Sequence, residues 1–369
     1  MASKADLSKY FSFKRIILPL LLGLAITVYF LSIDGFYKEE LREIDWGRHS
    51  LIWLLASILM MVLRDFGYIL RLRILSNAEL TWRQCFEIIV LWEFASAISP
   101  GAIGGTAAAM FIMAQEKMKT GMTTAIVLVT SFLDELFYII MVPIIFLLVG
   151  GDDLFPEFQN ANFKLIVNTT NLKVLFYGGY IILFAWTVFL AFALFIKPQI
   201  SRKIIVGILS FRPLRKFRRK GAQLSHDLIA SSIELKNKDM SFWYRAFGAT
   251  FLSWTARFLM VNCLLMAFAD VDNHLVIYGR QLVMWVILLI AITPGGSLVA
   301  EGLFPAFLGK YLPSAQIARM VALLWRLISY YPYIVFGGML LPFWVRRVQI
   351  YQRIKFKKPV FKSGRKENS

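Results

Sequence analysis

Ser99-Pro100-Gly101-Ala102-Ile103-Gly104-Gly105-Thr106 interrupts an apolar run that starts near Cys85. The run has lasted only about fifteen residues when it meets a proline and three glycines, too few to cross roughly 30 Å of hydrocarbon as a helix. The element, about 85–115, therefore breaks inside the membrane. Broken backbone at that depth survives only where protein buries it or where it lines a wet cavity, so a glycine-rich break between half-helices marks a candidate transport site.

The same device recurs once. Thr293-Pro294-Gly295-Gly296-Ser297 follows an apolar run from Leu282 to Ile292, again too short to span, within an element of about 281–309. Around the two breaks, full-length apolar helices are predicted at about 16–33, 50–70, 121–149, 174–196, 242–268 and 315–345. The composition agrees: 58% of residues are hydrophobic, 17% are charged and the mean hydropathy is +0.62, outside the soluble globular range. The fold class is all-α and polytopic, with about six full transmembrane helices plus two re-entrant or broken helical hairpins.

The net charge of +18 is unevenly placed. If each broken element returns to the side it entered from, the basic excess falls on 1–15, 71–83, 116–119, 197–245 and 346–369, while 34–48, 150–173, 270–280 and 301–310 are acidic or neutral. A single crossing by the first element would put the basic 197–245 loop outside, against the positive-inside rule. The expectation is a multi-pass protein of the cytoplasmic (inner) membrane with both termini cytoplasmic. The first apolar run follows Lys14-Arg15 but no small-residue cleavage site follows it, so it reads as a retained helix. From Pro198 to Lys220, apolar and basic residues alternate as in an interfacial helix on an anionic leaflet, or as in a solvated loop.

Three pairs recur at an offset of about 190 residues: Arg64 with Arg257, Gly104-Gly105 with Gly295-Gly296, and Asp134 with Arg326. Each pair occupies a similar place in a helix, break, helix series. Three crossings separate the copies, so the second is inverted relative to the first and one hairpin enters from each face. The chain divides into one membrane domain, 1–345, with repeat one at about 50–149 and repeat two at about 242–345, and a basic cytoplasmic tail, 346–369.

Ionisable groups at membrane depth cost about 2.5–3.5 kcal/mol each on insertion scales and normally pair or line an aqueous path. Arg64, Asp65, Glu87, Glu93, Asp134, Glu135, Arg257, Arg319 and Arg326 are of this kind, and Glu301 follows the second break. Acids crowd the first copy and Arg257 and Arg326 stand in the second, which favours ion pairs across the repeats, with Asp134 and Arg326 as mates. For Arg64, Asp65 and Glu87 a structural salt bridge or a snorkelling end charge accounts equally well. Half-helices restarting at Gly105 and Gly296 expose N–H groups to an anion, and nearby arginines add bidentate donors. The candidate substrate-binding residues are Glu93, Pro100, Gly104, Gly105, Asp134, Arg257, Pro294, Gly295, Gly296, Glu301 and Arg326.

Other classes find little support. Cys85 and Cys263 lie in apolar runs, and the three histidines form no metal-ligand set. No phosphate-binding Gly-x-x-x-x-Gly-Lys-Ser/Thr occurs, and the basic residues flank spans, so neither a nucleotide cofactor nor nucleic acid is expected.

The motifs resemble the transmembrane (flippase) domain of lysylphosphatidylglycerol synthetases and its free-standing relatives, over roughly residues 15–345. The resemblance rests on Leu72-Arg73-Ile74-Leu75 with the polar turn to Trp82, on Pro100 with Gly104-Gly105, and on Asp134. It continues in Pro294-Gly295-Gly296 with Glu301, and in Arg326 with Gly337-Gly338. Leu298, Ala107-Ala108-Ala109 and Ser131 depart from the family pattern. No aminoacyl-transferase domain follows Ser369, so the resemblance implies the translocating half alone and not an enzyme. It implies a flippase or scramblase that moves an anionic phospholipid or a polyprenyl-phosphate lipid between leaflets. A membrane-embedded enzyme or assembly factor in lipid-linked glycan synthesis, and an ion-coupled small-solute transporter, stay open beside it. So does the oligomeric state, a homodimer included.

Overall fold

The computed structural model describes residues 47–99, 101–116, 118–156, 169–197, 229–290 and 297–357, with isolated positions 199 and 227. The predicted helix at about 16–33, the stretch from Pro198 to Lys220, Pro100, and Pro294-Gly295-Gly296 lie outside these residues.

Every regular element among the described residues is helical. In chain order they are α1 (Arg48–Leu75), α2 (Trp82–Ile98), α3 (Gly101–Gln115), α4 (Thr120–Val149), α5 (Thr169–Ala191, continued by a π turn over Phe192–Ile196) and α6 (Met240–Met266). The series ends with α7 (His274–Ile290), α8 (Ser297–Leu308), α9 (Ala315–Ser329) and α10 (Tyr331–Lys357). Five stretches are long and apolar enough to span a membrane: α1, α4, α5 with its π turn, α6, and α9 with α10. The protein is thus an all-α polytopic membrane protein. Leu147, Ile181 and Phe343 stand exposed on these helices, as side chains that face lipid do.

One of the predicted spans is not continuous. Between 315 and 345 the helix stops at Ser329, turns at Tyr330 (φ −128°, ψ −55°) and restarts at Tyr331. Pro332 is the reason, because it has no N–H to donate back to the preceding turn and is tolerated in the first turn of a new helix.

Both broken elements are hairpins. α2 opens with a capping box: Thr81 Oγ1 accepts from Gln84 N–H, and Gln84 Oε1 accepts from Thr81 N–H at 2.9 Å. Gln84 Nε2 then donates to Glu116 Oε2 at 2.8 Å, joining the start of α2 to the end of α3. In the second element Arg280 Nη1 donates to Phe307 O at 2.6 Å, joining the first turns of α7 to the end of α8. α3 restarts at Gly101 rather than Gly105, so Gly104 and Gly105 lie inside the helix. A Cβ on Gly105 would collide with the side chain of Ser96 and come within 3.1 Å of its Cα. Close packing of α3 on α2, not an exposed N–H group, is what this glycine provides.

The buried apolar residues form two main clusters, and α1, α4, α6 and α10 each contribute to both in succession. One holds Met61, Phe137 to Ile145, Trp254 to Leu265 and Tyr333; the other holds Tyr68 to Leu75, Met122 to Leu133, Phe242, Ala246 and Leu341 to Val348. The two cores therefore lie one above the other along the helix axes. Apart from Ala97, which packs with Tyr330 and Ile334, the clustered buried residues of α2 and α3 belong to the second and those of α7 and α8 to the first, so the hairpins occupy opposite halves of the molecule. α1 and α6 run antiparallel: Leu72 and Leu75 share a core with Phe242, Met61 with Phe258 and Met260. Gly67 allows the contact, since a Cβ there would stand 2.9 Å from Ala249 O. First helices that pack antiparallel and hairpins in opposite halves are what an inverted pair of copies requires.

Candidate functional site

The charged residues gather at the seam between the two cores. On α1, Arg64, Tyr68 and Arg71 follow at helical spacing on one face, with Tyr68's ring 4.6 Å from the Arg64 guanidinium and 4.9 Å from that of Arg71. Arg64 is 1% exposed and engaged on both terminal nitrogens. Nη1 donates to Asp65 at 2.9 Å and to the Tyr333 hydroxyl at 2.5 Å; Nη2 donates to Glu93 at 2.7 Å. Tyr333 passes its own hydrogen to Asp65, at 2.7 Å. One arginine thereby ties α1 to hairpin α2–α3 and to α10.

Arg71 makes the second connection. It grips Asp134 of α4 with both terminal nitrogens, at 2.5 and 3.3 Å, and donates to Thr250 Oγ1 of α6 at 3.2 Å. Trp254 Nε1 donates to Asp134 Oδ1 at 2.7 Å. The pairing expected for Asp134 is with Arg326, but Arg71 holds it instead. The reason is register: α1 stays helical through Leu75, so Arg71, which the charge count places in a loop, is carried into the seam. Arg64–Asp65, Arg64–Glu93 and Arg71–Asp134, the ion pairs that build this seam, all fall within the first copy and not across the copies.

Arg257 is different. Its guanidinium lies 4.8 Å from the ring centres of both Trp254 and Trp285, and its hydrogen bond runs from Nη2 to Tyr68 Oη at 3.3 Å. No carboxylate stands within ion-pair distance of it among the described residues, and its buried Nε has no partner there. Glu93 and Asp65 influence it only through space. The fully buried hydroxyl of Tyr138, packed edge-on against Trp254 at 5.0 Å, is also without a partner among the described residues.

Arg326 extends the site toward the first break. It lies 4.0 Å from the ring of Tyr330, whose hydroxyl donates to Ala97 O at 2.9 Å in the last turn of α2. Tyr330–Ala97 and Tyr333–Arg64–Glu93 are one helical turn apart, so the two contacts form one continuous line between α2 and α10. Of the sequence-predicted residues, Glu93, Asp134 and Arg257 meet the one face of α1 through Arg64, Arg71 and Tyr68, Arg326 stands beside Tyr330, and Gly105 packs against α2. Glu301 lies in α8 with its side chain outside the described residues. Sequence reasoning missed Tyr68, Arg71, Trp254, Trp285 and Tyr333. The spacing of Arg64, Tyr68 and Arg71 is the signal that marks one helix face. Among the described residues no group of three His, Cys, Asp or Glu is placed to hold a metal ion.

A polytopic helical membrane protein with two broken hairpins and an ion-paired seam between its halves defines the class. Within that class the chain belongs to the family described as the lysylphosphatidylglycerol synthase TM region, whose model matches residues 16–337. It is similar to a UPF0104 membrane protein of Archaeoglobus fulgidus, 22% identical over 333 residues, which covers 86% of this chain and 95% of that protein. No solved structure matches the chain.

Proposed function

We propose that the protein is a lipid flippase or scramblase that carries an anionic headgroup, of a phospholipid or a polyprenyl phosphate, through the seam. The observation that supports this best is Arg257. A guanidinium presents five donors in a planar fork suited to phosphate, and this one makes a single long hydrogen bond while two indole rings lie 4.8 Å from it. Arg64 and Arg71 are already neutralised by carboxylates, whereas Arg257 has no carboxylate within ion-pair distance among the described residues and so can take an arriving anion. Family membership adds to the reading, since the family name associates these helices with a lipid-modifying synthase. The protein acts as a transporter without catalysis, in the cytoplasmic membrane, with the end bearing Arg73, Arg83, Lys236 and Arg347 facing the cytoplasm.

The test is reconstitution. Purified protein in liposomes should move a fluorescent anionic lipid analogue between leaflets, and Arg257→Ala should lose that movement while keeping its melting temperature within a few degrees. Equal rates in protein-free liposomes, or full activity of Arg257→Ala, would overturn the proposal. Lipids retained through gentle purification and identified by mass spectrometry would name the cargo.

A further inference from the structure

Glu135 follows Asp134 in the chain but faces away from the seam, toward α5. It stands at the middle of α4, which runs from Thr120 to Val149, the depth at which an ionised carboxyl is most costly. Among the described residues no cation lies within ion-pair distance of it, and the one charge that bears on it is Asp134, of the same sign. Its partners are both on α5: Thr187 Oγ1, 3.1 Å from Oε2, and the indole of Trp186.

A count of hydrogens bears on its protonation state. Thr187 Oγ1 also lies 2.9 Å from Leu183 O, the back-bond that a threonine in a helix ordinarily makes. A carbonyl oxygen only accepts and a hydroxyl has one hydrogen. That single hydrogen faces two acceptors, Leu183 O and Glu135 Oε2, so an ionised carboxyl receives at most a share of it. A protonated Glu135 instead donates to Thr187 Oγ1 and leaves the threonine's own hydrogen wholly to Leu183 O, which satisfies both groups without a buried charge.

We propose that Glu135 is a proton-binding site at mid-membrane, loaded in this conformation. Release breaks the carboxyl O–H bond, passes the proton to water and leaves the electron pair on the carboxylate. The Thr187 hydroxyl then turns from Leu183 to the new carboxylate, so unloading opens one side-chain bond on α5 just before its π turn. Unloading also sets a second negative charge beside Asp134, the carboxylate that Arg71 holds, and this links proton occupancy to the seam. Among the described residues, the groups that bear on the site are Thr187 and Trp186 from α5 and Asp134 from its own helix.

Infrared difference spectra of the full chain in phosphatidylcholine liposomes, stepped from mildly acidic to mildly alkaline buffer, test this. A protonated carboxylic C=O band should persist at neutral pH, disappear in Glu135→Gln and shift in frequency in Thr187→Val. A wild-type spectrum with no band that Glu135→Gln removes would overturn the proposal. Should Glu135→Gln fail to fold, dicyclohexylcarbodiimide, which attacks protonated carboxyls in apolar surroundings, is applied to the wild-type chain. An adduct located on Glu135 by mass spectrometry supports the site, and an unmodified Glu135 rejects it. Neither readout involves lipid movement, so failure here leaves the flippase reading standing, and the reverse also holds.

Discussion

Arg71 and Asp134 meet across 63 positions of sequence, with Nη1 2.5 Å from Oδ1 and Nη2 3.3 Å from Oδ2. The arginine side chain is 5% exposed and the aspartate 24%. Removing one partner of a buried pair typically costs about 3–5 kcal/mol because the other charge stays desolvated. Here the residual exposure of Asp134 and its bond to Trp254 place Arg71→Ala at the lower end, about 3 kcal/mol. Asp134→Ala combined with it should recover at least ~1 kcal/mol of the summed single losses, read from melting curves in detergent. Strict additivity would show that the two do not act as a pair.

That pair also marks where sequence reading stops. The four spans near 50–70, 121–149, 174–196 and 242–268, the hairpin form of the broken elements and their opposite placement are legible because bilayer thickness and backbone hydrogen bonding leave few alternatives for apolar runs of given length. Partner choice is not, because it depends on where a helix ends and how it is rotated. Ending α1 near residue 70 puts Arg71 in water, whereas one more helical turn puts it on Asp134. Trp254 and Trp285 read as generic apolar residues, and only the packing of α6 against α7 shows that they enclose Arg257. The glycine pair of the first break is legible as important but its role is not, since close helix packing and an exposed N–H group call for the same residue.

Gly105→Ala separates those roles. The added Cβ would stand 2.9 Å from Ser96 Cβ and 3.1 Å from its Cα, contacts that a rigid hairpin cannot relieve by rotating one torsion. A loss of about 1–3 kcal/mol is expected from this overpacking. Ser96→Gly in the same chain should restore most of it. If Gly105→Ala melts like the wild type, α3 does not pack on α2 as closely as described.

The placement of the hairpins in opposite halves fixes a labelling pattern. Asp153 is exposed next to Leu154 and Phe155 of one core, and Lys236 is exposed next to Leu235 of the other. With Cys85 and Cys263 replaced by serine, a cysteine at position 153 and one at 236 should react with a membrane-impermeant maleimide from opposite faces of sealed vesicles. Reaction of both from one face would contradict the two-layer arrangement.

The base of the first hairpin is moored by a single cation between two acids. Arg347 of α10 lies 2.5 Å from Glu87 of α2 through Nη1 and donates through Nη2 to Glu116 at the end of α3. Both carboxylates are 7% exposed, whereas the arginine is 35% exposed. Glu116 has further donors in Gln84 at 2.8 Å and Trp344 at 2.7 Å, and Glu87 has Arg83 at 3.0 Å, itself 80% exposed. Glu116 therefore keeps neutral donors when Arg347 is removed, while Glu87 keeps only a solvated surface pair worth ~1 kcal/mol or less. Arg347→Ala should cost about 2–3 kcal/mol, from two acids left close together without their shared counter-charge. Arg347→Lys should recover only part of this, because one ammonium cannot reach both carboxylates in the fork geometry of a guanidinium. Glu87→Gln added to Arg347→Ala should recover more, since it removes the acid that lost most. Detergent melting curves measure all three, and an Arg347→Lys chain that melts with the wild type would show that position 347 supplies charge alone and no bridge.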